Sequence, residues 1–504
     1  MTSVSTFRST CFKVRVLPLT FGMVGVCLTL LATASPQKLT RVGARNVDVQ
    51  PLRPDAIPSA PYGGVHQAWV ARYNGTGNLD DVAEAVVIDN SGNVYVAGDS
   101  EGSGTGSDYV TIKYDSAGQQ QWVARYDGPA HDFDEADAIA LDKAGNVYVT
   151  GFSVGSGGYF RYVTIKYNSA GQRQWIAHYN GIGNGNDFAL AIAVDALDNV
   201  YATGQSFDSP FTSDYATIKY NSAGQEQWVA RYNHFGSELN GATAIAIDAG
   251  GNVYVTGESD YDYATIKYDP AGQEQWVARY NGPGPVGNSA DGATAIAIDD
   301  SGNIYVTGFS VSSGEDYDYA TIKYSSAGRE QWVSRYNGPG NDWDLANDIV
   351  VDKSSNVYVT GQSVGTTYPD YDYATIKYDS AGREQWIARY NGPGNGEDDA
   401  VGVVLDNAGN AYVTGASEGS GGAFDYATIK YNQSGDQQWV VRYQGRANSY
   451  DLARAIAVDG SGNVYVSGNS FGLGTGSDYA TIKYVQDARP RPTPRPRPIP
   501  TVRP

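Results

Sequence analysis

HQAWVARYN (residues 66–74), AEAVVIDNSG (83–92), NVYVAGDS (93–100) and SDYVTIKYDSAG (107–118) follow one another in a unit of about 53 residues, and near-copies of that unit continue to residue 484. Within DYVTIKY, Tyr109, Thr111 and Lys113 share one face while Val110, Ile112 and Tyr114 share the other, and β-branched and aromatic residues dominate. That period of two predicts strands. Asp89-Asn90-Ser91-Gly92 and Asp115-Ser116-Ala117-Gly118 place an acid where its carboxylate accepts local backbone N–H bonds, and a glycine where positive φ is wanted. Such turns close compact hairpins. Four short strands per unit, repeated, describe the blades of an all-β propeller.

The landmark tryptophans Trp69, Trp122, Trp175, Trp228, Trp276, Trp332, Trp386 and Trp439 are spaced by 53, 53, 53, 48, 56, 54 and 53 residues. The segments GNVYVTG (251–257), DYATIKYDSAG (372–382) and QWVARYNG (275–282) resemble the bacterial SBBP-type beta-propeller repeat. The resemblance spans all eight units. It implies a strand order with the AIAVD-like segment innermost, NVYVTG second, DYATIKY third and QWVARYNG outermost. Small alanines in Ala244-Ile245-Ala246 and Ala295-Ile296-Ala297 suit a crowded axis independently. Eight inner segments, ending at Asp89, Asp142, Asp195, Asp248, Asp299, Asp352, Asp406 and Asp459, predict eight four-stranded antiparallel blades. A ring of seven with one extra unit is the alternative. Because the first outer-type strand precedes any inner strand and the last unit ends on its third, the N-terminal strand is expected to complete the last blade.

In four units the second hairpin carries a Lys and a Glu seven residues apart: Lys219 with Glu226, Lys267 with Glu274, Lys323 with Glu330 and Lys377 with Glu384. These are expected to be cross-strand pairs of modest value.

Residues 67–484 hold 23 Lys and Arg against 52 Asp and Glu, a net charge of −29. Such a surface repels nucleic acid and anionic membrane, and favours cations, cationic segments or neutral glycans as partners. Residues 1–34 carry Arg8, Lys13 and Arg15, then an uncharged stretch ending Ala32-Thr33-Ala34, the order of a secretory signal peptide. The competing reading is an uncleaved anchor, weakened by Pro18, Gly22 and Gly25. Cys11 and Cys27 both lie in this segment, so a chain cleaved after Ala34 has neither thiol nor disulfide. The mature chain is expected to be a secreted or cell-surface monomer without membrane insertion. Residues 35–66, with five prolines, read as a linker, and residues 485–504 as a basic, proline-alternating tail suited to polyproline II.

All length variation falls in two of the four connections of each unit, and alternating chain direction gathers those two on one face. Variable loops on one rigid face are where such a scaffold presents a site. The candidate contacts there are Trp343, Phe160, Phe207, Phe211, Phe235, Tyr261, Tyr317, Tyr368, Phe424, Tyr450 and Phe471. A sugar ring or peptide stacks on such side chains, unless they are spent on packing against adjacent loops. An acid ahead of each inner strand forms a second set: Asp81, Asp134, Asp187, Asp291, Asp344, Asp398 and Asp451, with Asn240 in the fourth unit. Either these oxygens converge near the axis to hold calcium, or each secures its own loop. No other cofactor is expected.

G-x-S-x-G occurs five times, at 98–102, 151–155, 361–365, 415–419 and 468–472. A nucleophile elbow needs a strand entering a helix and a histidine base, whereas these serines follow a strand and lead into a loop. His66, His131, His178 and His234 stand singly. The rival enzyme class is the eight-bladed quinoprotein dehydrogenases, whose tryptophan-docking motif the turn before each landmark tryptophan loosely resembles. That motif has one more residue between Asp and Gly, and many members carry a vicinal cysteine pair that this chain lacks. The expectation is a non-catalytic scaffold that binds a protein or glycan, with a structural cell-surface or adhesin-like role as the alternative.

Overall fold

A strand buried on both faces must lie between neighbours, and the NVYVAG and DYVTIKY segments are such strands. The computed structural model describes residues 64–487 except 184, 210, 211, 235–239, 285–289, 315 and 367–369. In the first blade, β2 (Asp81–Ile88), β3 (Val94–Glu101), β4 (Ser107–Tyr114) and β5 (Gln120–Tyr126) form one sheet in that order. β3 and β4 are buried almost throughout, while β2 and β5 alternate with more exposed positions. The described residues contain eight such antiparallel sheets and no helix. Blades 1 to 7 span residues 81–126, 134–179, 187–232, 240–280, 292–336, 344–390 and 398–443; blade 8 combines 451–486 with 65–73. First strands of neighbouring blades pack on one another around the ring, so they are innermost. The ring has eight blades, not seven and a spare.

Its hydrophobic interior is eight separate cores, one at each junction between blades. At the first junction Tyr95, Ala97, Tyr109 and Tyr126 of blade 1 meet Ala136, Ile139, Val149, Val163 and Ile165 of blade 2. Burying each large side chain contributes roughly 1.5–3 kcal/mol, so no blade is stable without its neighbours. A buried hydroxyl needs a partner, and the tyrosine opening each third strand finds one in the next blade. Tyr109, Tyr162, Tyr215, Tyr263, Tyr319, Tyr373, Tyr426 and Tyr479 each donate to a third-strand backbone carbonyl at 3.2–3.4 Å. The last of these, Tyr479 to the Val110 carbonyl, joins blade 8 to blade 1.

Two glycines per unit are fixed by close approach. A Cβ on Gly98 would stand 2.0 Å from the Val82 carbonyl oxygen, where the inner strand bulges. A Cβ on Gly118, at φ +80°, would stand 2.6 Å from the Trp69 ring. Trp69 Nε1 donates to the Ser116 carbonyl of that same turn at 3.2 Å. Each landmark tryptophan from Trp69 to Trp386 docks in this way on the turn of the next blade.

Ring closure follows the expected seam. β1 (Val65–Tyr73) pairs antiparallel with β32 (Ser477–Gln486) as the outer edge of blade 8. β32 continues to Gln486 instead of turning, so among the described residues Trp439 has no turn to dock on and its buried Nε1 has no hydrogen-bond partner.

The expected Lys–Glu pairs do not form. A register shift after each lysine sets Lys219 opposite Trp228 and leaves Glu226 opposite Tyr220; the same holds for Lys267, Lys323 and Lys377. The extra residue of this bulge displaces the alignment by one. Each ammonium instead lies 4.9–5.2 Å above a tyrosine ring of its own blade, Tyr201, Tyr254, Tyr305 or Tyr358. It also donates to a turn carbonyl of the next blade.

Candidate ligand-binding face

Antiparallel pairing puts the β2–β3 and β4–β5 turns on one face, and the β3–β4 and interblade connections on the other. The first face is uniform. Asp89 Oδ1 accepts from the Ser91 and Asn93 N–H groups, and its Oδ2 from the Asn93 amide and the Tyr95 hydroxyl. Burial pushes that carboxyl up, but these hydrogen bonds outweigh it and hold it below its ordinary value. The fourth turn position demands positive φ, met by Asp198 and Ser355 where glycine is missing.

Variable connections make the other face irregular and partly apolar. Among the described residues the large apolar side chains that remain exposed are Phe133, Tyr159, Ile182, Leu197, Tyr261, Trp343, Ile387, Tyr450 and Leu473. All but Leu197 and Ile387 lie in these connections. Tyr261 is 44% exposed and, with Asp260, forms a two-residue link in which both have positive φ, 60° and 52°. A bulky residue pays strain for that conformation.

The predicted aromatic contacts divide accordingly. Trp343, Tyr450 and Tyr261 stand in connections, whereas Phe160, Phe207, Tyr317, Phe424 and Phe471 occupy strand ends and are half-buried. Trp343 meets Tyr317 edge-on at 5.6 Å, and Tyr317 meets Phe309 at 5.3 Å. Tyr450 stacks on Phe424 at 5.8 Å. Phe160 packs with Phe133, Phe152 and Phe188, and Phe207 with Phe188. Strand-end rings thus form plinths at three junctions, topped by Phe133, Trp343 and Tyr450. Phe133, Phe152 and Phe188 were not singled out from the sequence, although Phe133 occupies the position just ahead of the inner-strand acid that Trp343 and Tyr450 hold in other units. Phe211, Phe235 and Tyr368, together with residues 1–63 and 488–504, lie outside the described residues.

Each inner-strand acid holds its own loop. One carboxylate oxygen of Asp81, Asp134, Asp187, Asp291, Asp344, Asp398 and Asp451 accepts at 2.5–2.8 Å from a glycine N–H six to nine residues earlier. Burial pushes Asp81 up to about 7 and Asp134, Asp344 and Asp398 up to about 6, partly offset by these bonds. The same cause raises Asp187, Asp291 and Asp451. Asn240 instead reaches back to blade 3, donating to the Ser213 carbonyl at 2.8 Å. Among the described residues, Asp134 is the one of these acids that stands with two further carboxylates.

The G-x-S-x-G serines are not presented as nucleophiles. Ser100, Ser153, Ser363, Ser417 and Ser470 are all fully buried. All but Ser153 accept through Oγ from an outer-strand arginine: Arg125, Arg389, Arg442 and Arg72 respectively. That arginine is the main polar tie of a junction, and sequence reasoning missed it. Arg231, for example, donates to Asp214 of its own blade at 3.0 Å, to Ser206 at 2.8 Å and to the Tyr179 hydroxyl of the preceding blade at 2.7 Å. Blade 2 departs from the arrangement, with Arg161 where the third-strand acid belongs and His178 where the arginine belongs. Two departures from the repeat therefore sit within one blade, where the acid–arginine pair is replaced by an arginine and a histidine. Burial, with Arg161 nearby, lowers the His178 pKa.

No curated protein matches the chain in sequence. Solved structures similar to it include the WD40 domain of SCAP from fission yeast, 9% identical over 84% of this chain and 98% of that one, TM-score 0.43. Another is PorZ of Porphyromonas gingivalis, described as a surface component of the type-IX secretion system, 14% identical over 79% of this chain and 52% of that one, TM-score 0.41. A third, described as the eukaryotic initiation factor, is 9% identical over 84% and 99%, TM-score 0.41. Residues 438–472 match the family model described as SBBP, beta-propeller repeat. They run from the last strand of blade 7 into the second of blade 8, so the chain carries a match to the SBBP beta-propeller repeat within a ring of eight four-stranded blades.

Proposed function

We infer that this protein is an exported, non-catalytic scaffold that binds a protein or glycan on its variable-loop face. The observation that carries this reading is the placement of exposed apolar side chains: seven of nine lie in the variable connections. A soluble domain concentrates such groups on one face where a partner covers them. Phe133, Trp343 and Tyr450 rest on packed aromatic neighbours, which limits the rotamer entropy lost on contact. Buried, arginine-bound serines and singly placed histidines support a binding role over hydrolysis. Export rests on the charge and apolar order of residues 1–34.

Glycan and peptide arrays probed with the full chain and with a chain ending at Asp487 test the reading. A selective ligand retained without the tail, and bound at least tenfold more weakly by Trp343→Ala or Tyr450→Ala at unchanged melting temperature, is the expected result. Binding to whole cells that depends only on residues 488–504 would favour the structural cell-surface role instead.

A further inference from the structure

All but two of the junctions pair the acid of one blade's third strand and the residue after its outer strand with the acid opening the next blade; Arg161 and Asn240 are the exceptions. At the middle position the chain carries Asn74, Asn180, Asn233, Asn281, Asn337, Asn391 and Gln444, and once an acid, Asp127. An amide there can donate to the neighbouring acid, as Asn233 Nδ2 does to Asp214 Oδ1 at 2.5 Å. A carboxylate only accepts. At the junction between blades 1 and 2, Asp108, Asp127 and Asp134 offer oxygens that all lie within 4.8 Å of one another.

One oxygen of each is already anchored. Asp108 Oδ2 takes Arg125 Nε at 2.5 Å and Thr105 Oγ1 at 3.0 Å; Asp127 Oδ2 lies 2.7 Å from His131 Nδ1; Asp134 Oδ2 takes the Gly128 N–H at 2.5 Å. The other oxygen, Oδ1, is buried in all three and has no hydrogen-bond partner. Asp134 is fully buried and the Asp108 side chain is 2% exposed. Pairs of such orphaned oxygens recur at Asp318 and Asp344 and at Asp425 and Asp451, but there Asn337 and Gln444 stand in the third place. Three carboxylates and one guanidinium leave two negative charges in a largely dry junction, which a divalent cation neutralises.

We propose that Asp108, Asp127 and Asp134 form a calcium site clamping blade 1 to blade 2. Hard carboxylate oxygens suit Ca²⁺, which takes them at about 2.3–2.6 Å, so oxygens on opposite sides of one ion stand up to about 5 Å apart. Asp127, 27% exposed, gives the ion its entry and room for the waters that complete its shell. This site is independent of the loop-face ligand.

Calorimetric titration of the full chain with Ca²⁺, paired with thermal melting, decides the matter. The wild type is expected to bind one Ca²⁺ per chain and to melt higher with Ca²⁺ than with chelator. Asp127→Asn restores the residue that most other junctions carry, so it folds, and it is expected to bind Ca²⁺ at least tenfold more weakly. Asn337→Asp, which adds a third carboxylate beside Asp318 and Asp344, is expected to add a second Ca²⁺. Absence of any Ca²⁺ response in the wild type, undiminished binding by Asp127→Asn, or no second ion in Asn337→Asp overturns the site. A melting temperature that rises on acidification but ignores Ca²⁺ does so too, assigning the cluster to a shared proton.

Discussion

Asp81 and its counterparts respond to pH in the opposite sense from Asp89 and its counterparts, although both accept backbone N–H bonds. Burial dominates at Asp81, whose folded pKa of about 7 lies above the ordinary carboxylate value, as do the values of about 6 at Asp134, Asp344 and Asp398. The folded state therefore holds more protons than the unfolded chain between about pH 4 and 7, and this contribution to stability is lost as pH rises through that window. At Asp89, Asp142, Asp195, Asp248, Asp406 and Asp459 hydrogen bonds prevail over burial and the pKa is lowered. That contribution is present above the ordinary value and is lost only as pH falls below it. The melting temperature in metal-free buffer is accordingly expected to be higher at pH 5 than at pH 8, and Asp81→Asn, the residue that Asn240 supplies in another junction, to flatten the slope. A steady rise from pH 5 to pH 8 would contradict this assignment of the buried acids.

Element-scale repetition makes the protein its own control. Trp386 Nε1 donates to the Gln433 carbonyl at 3.0 Å and its ring is pressed by Gly435, whereas among the described residues Trp439, one blade on, has no partner for its Nε1. Trp439→Phe is expected to cost about 1 kcal/mol less than Trp386→Phe, the net worth of one hydrogen bond, read as a smaller fall in denaturant midpoint. Equal falls would mean that the docking bond contributes nothing. Strand number, order and turns were legible because each blade restates the same alternation and the same D-x-x-G punctuation. The partner of Lys219 was not: counting across the hairpin gives Glu226, and one bulged residue, without a sequence signature of its own, makes it Trp228. The arginine ties were hidden for a different reason. Arg231, Ser206 and Tyr179 meet across two blades, and nothing in their spacing announces a contact between units. Exposure was likewise invisible in a list of aromatics, which could not separate Trp343 from the half-buried Phe160 that serves as its counterpart's plinth.

For the whole molecule, stability and the candidate face both depend on closure. Eight junction cores and a belt of eight tyrosine hydrogen bonds leave no blade free-standing; Tyr479 to Val110 and Trp69 to the Ser116 turn are the final links, and the second exists only if β1 completes blade 8. An outer strand is held by one neighbour and by its docked tryptophan, so β1 tests the ring at its weakest point. Hydrogen–deuterium exchange of the intact protein measures this directly. Amides of Val65–Tyr73 are predicted to exchange as slowly as those of the other outer strands, such as Gln120–Tyr126 and Glu226–Tyr232. Exchange of Val65–Tyr73 at the rate of an unstructured chain, while the other outer strands stay protected, would contradict the closed eight-bladed ring.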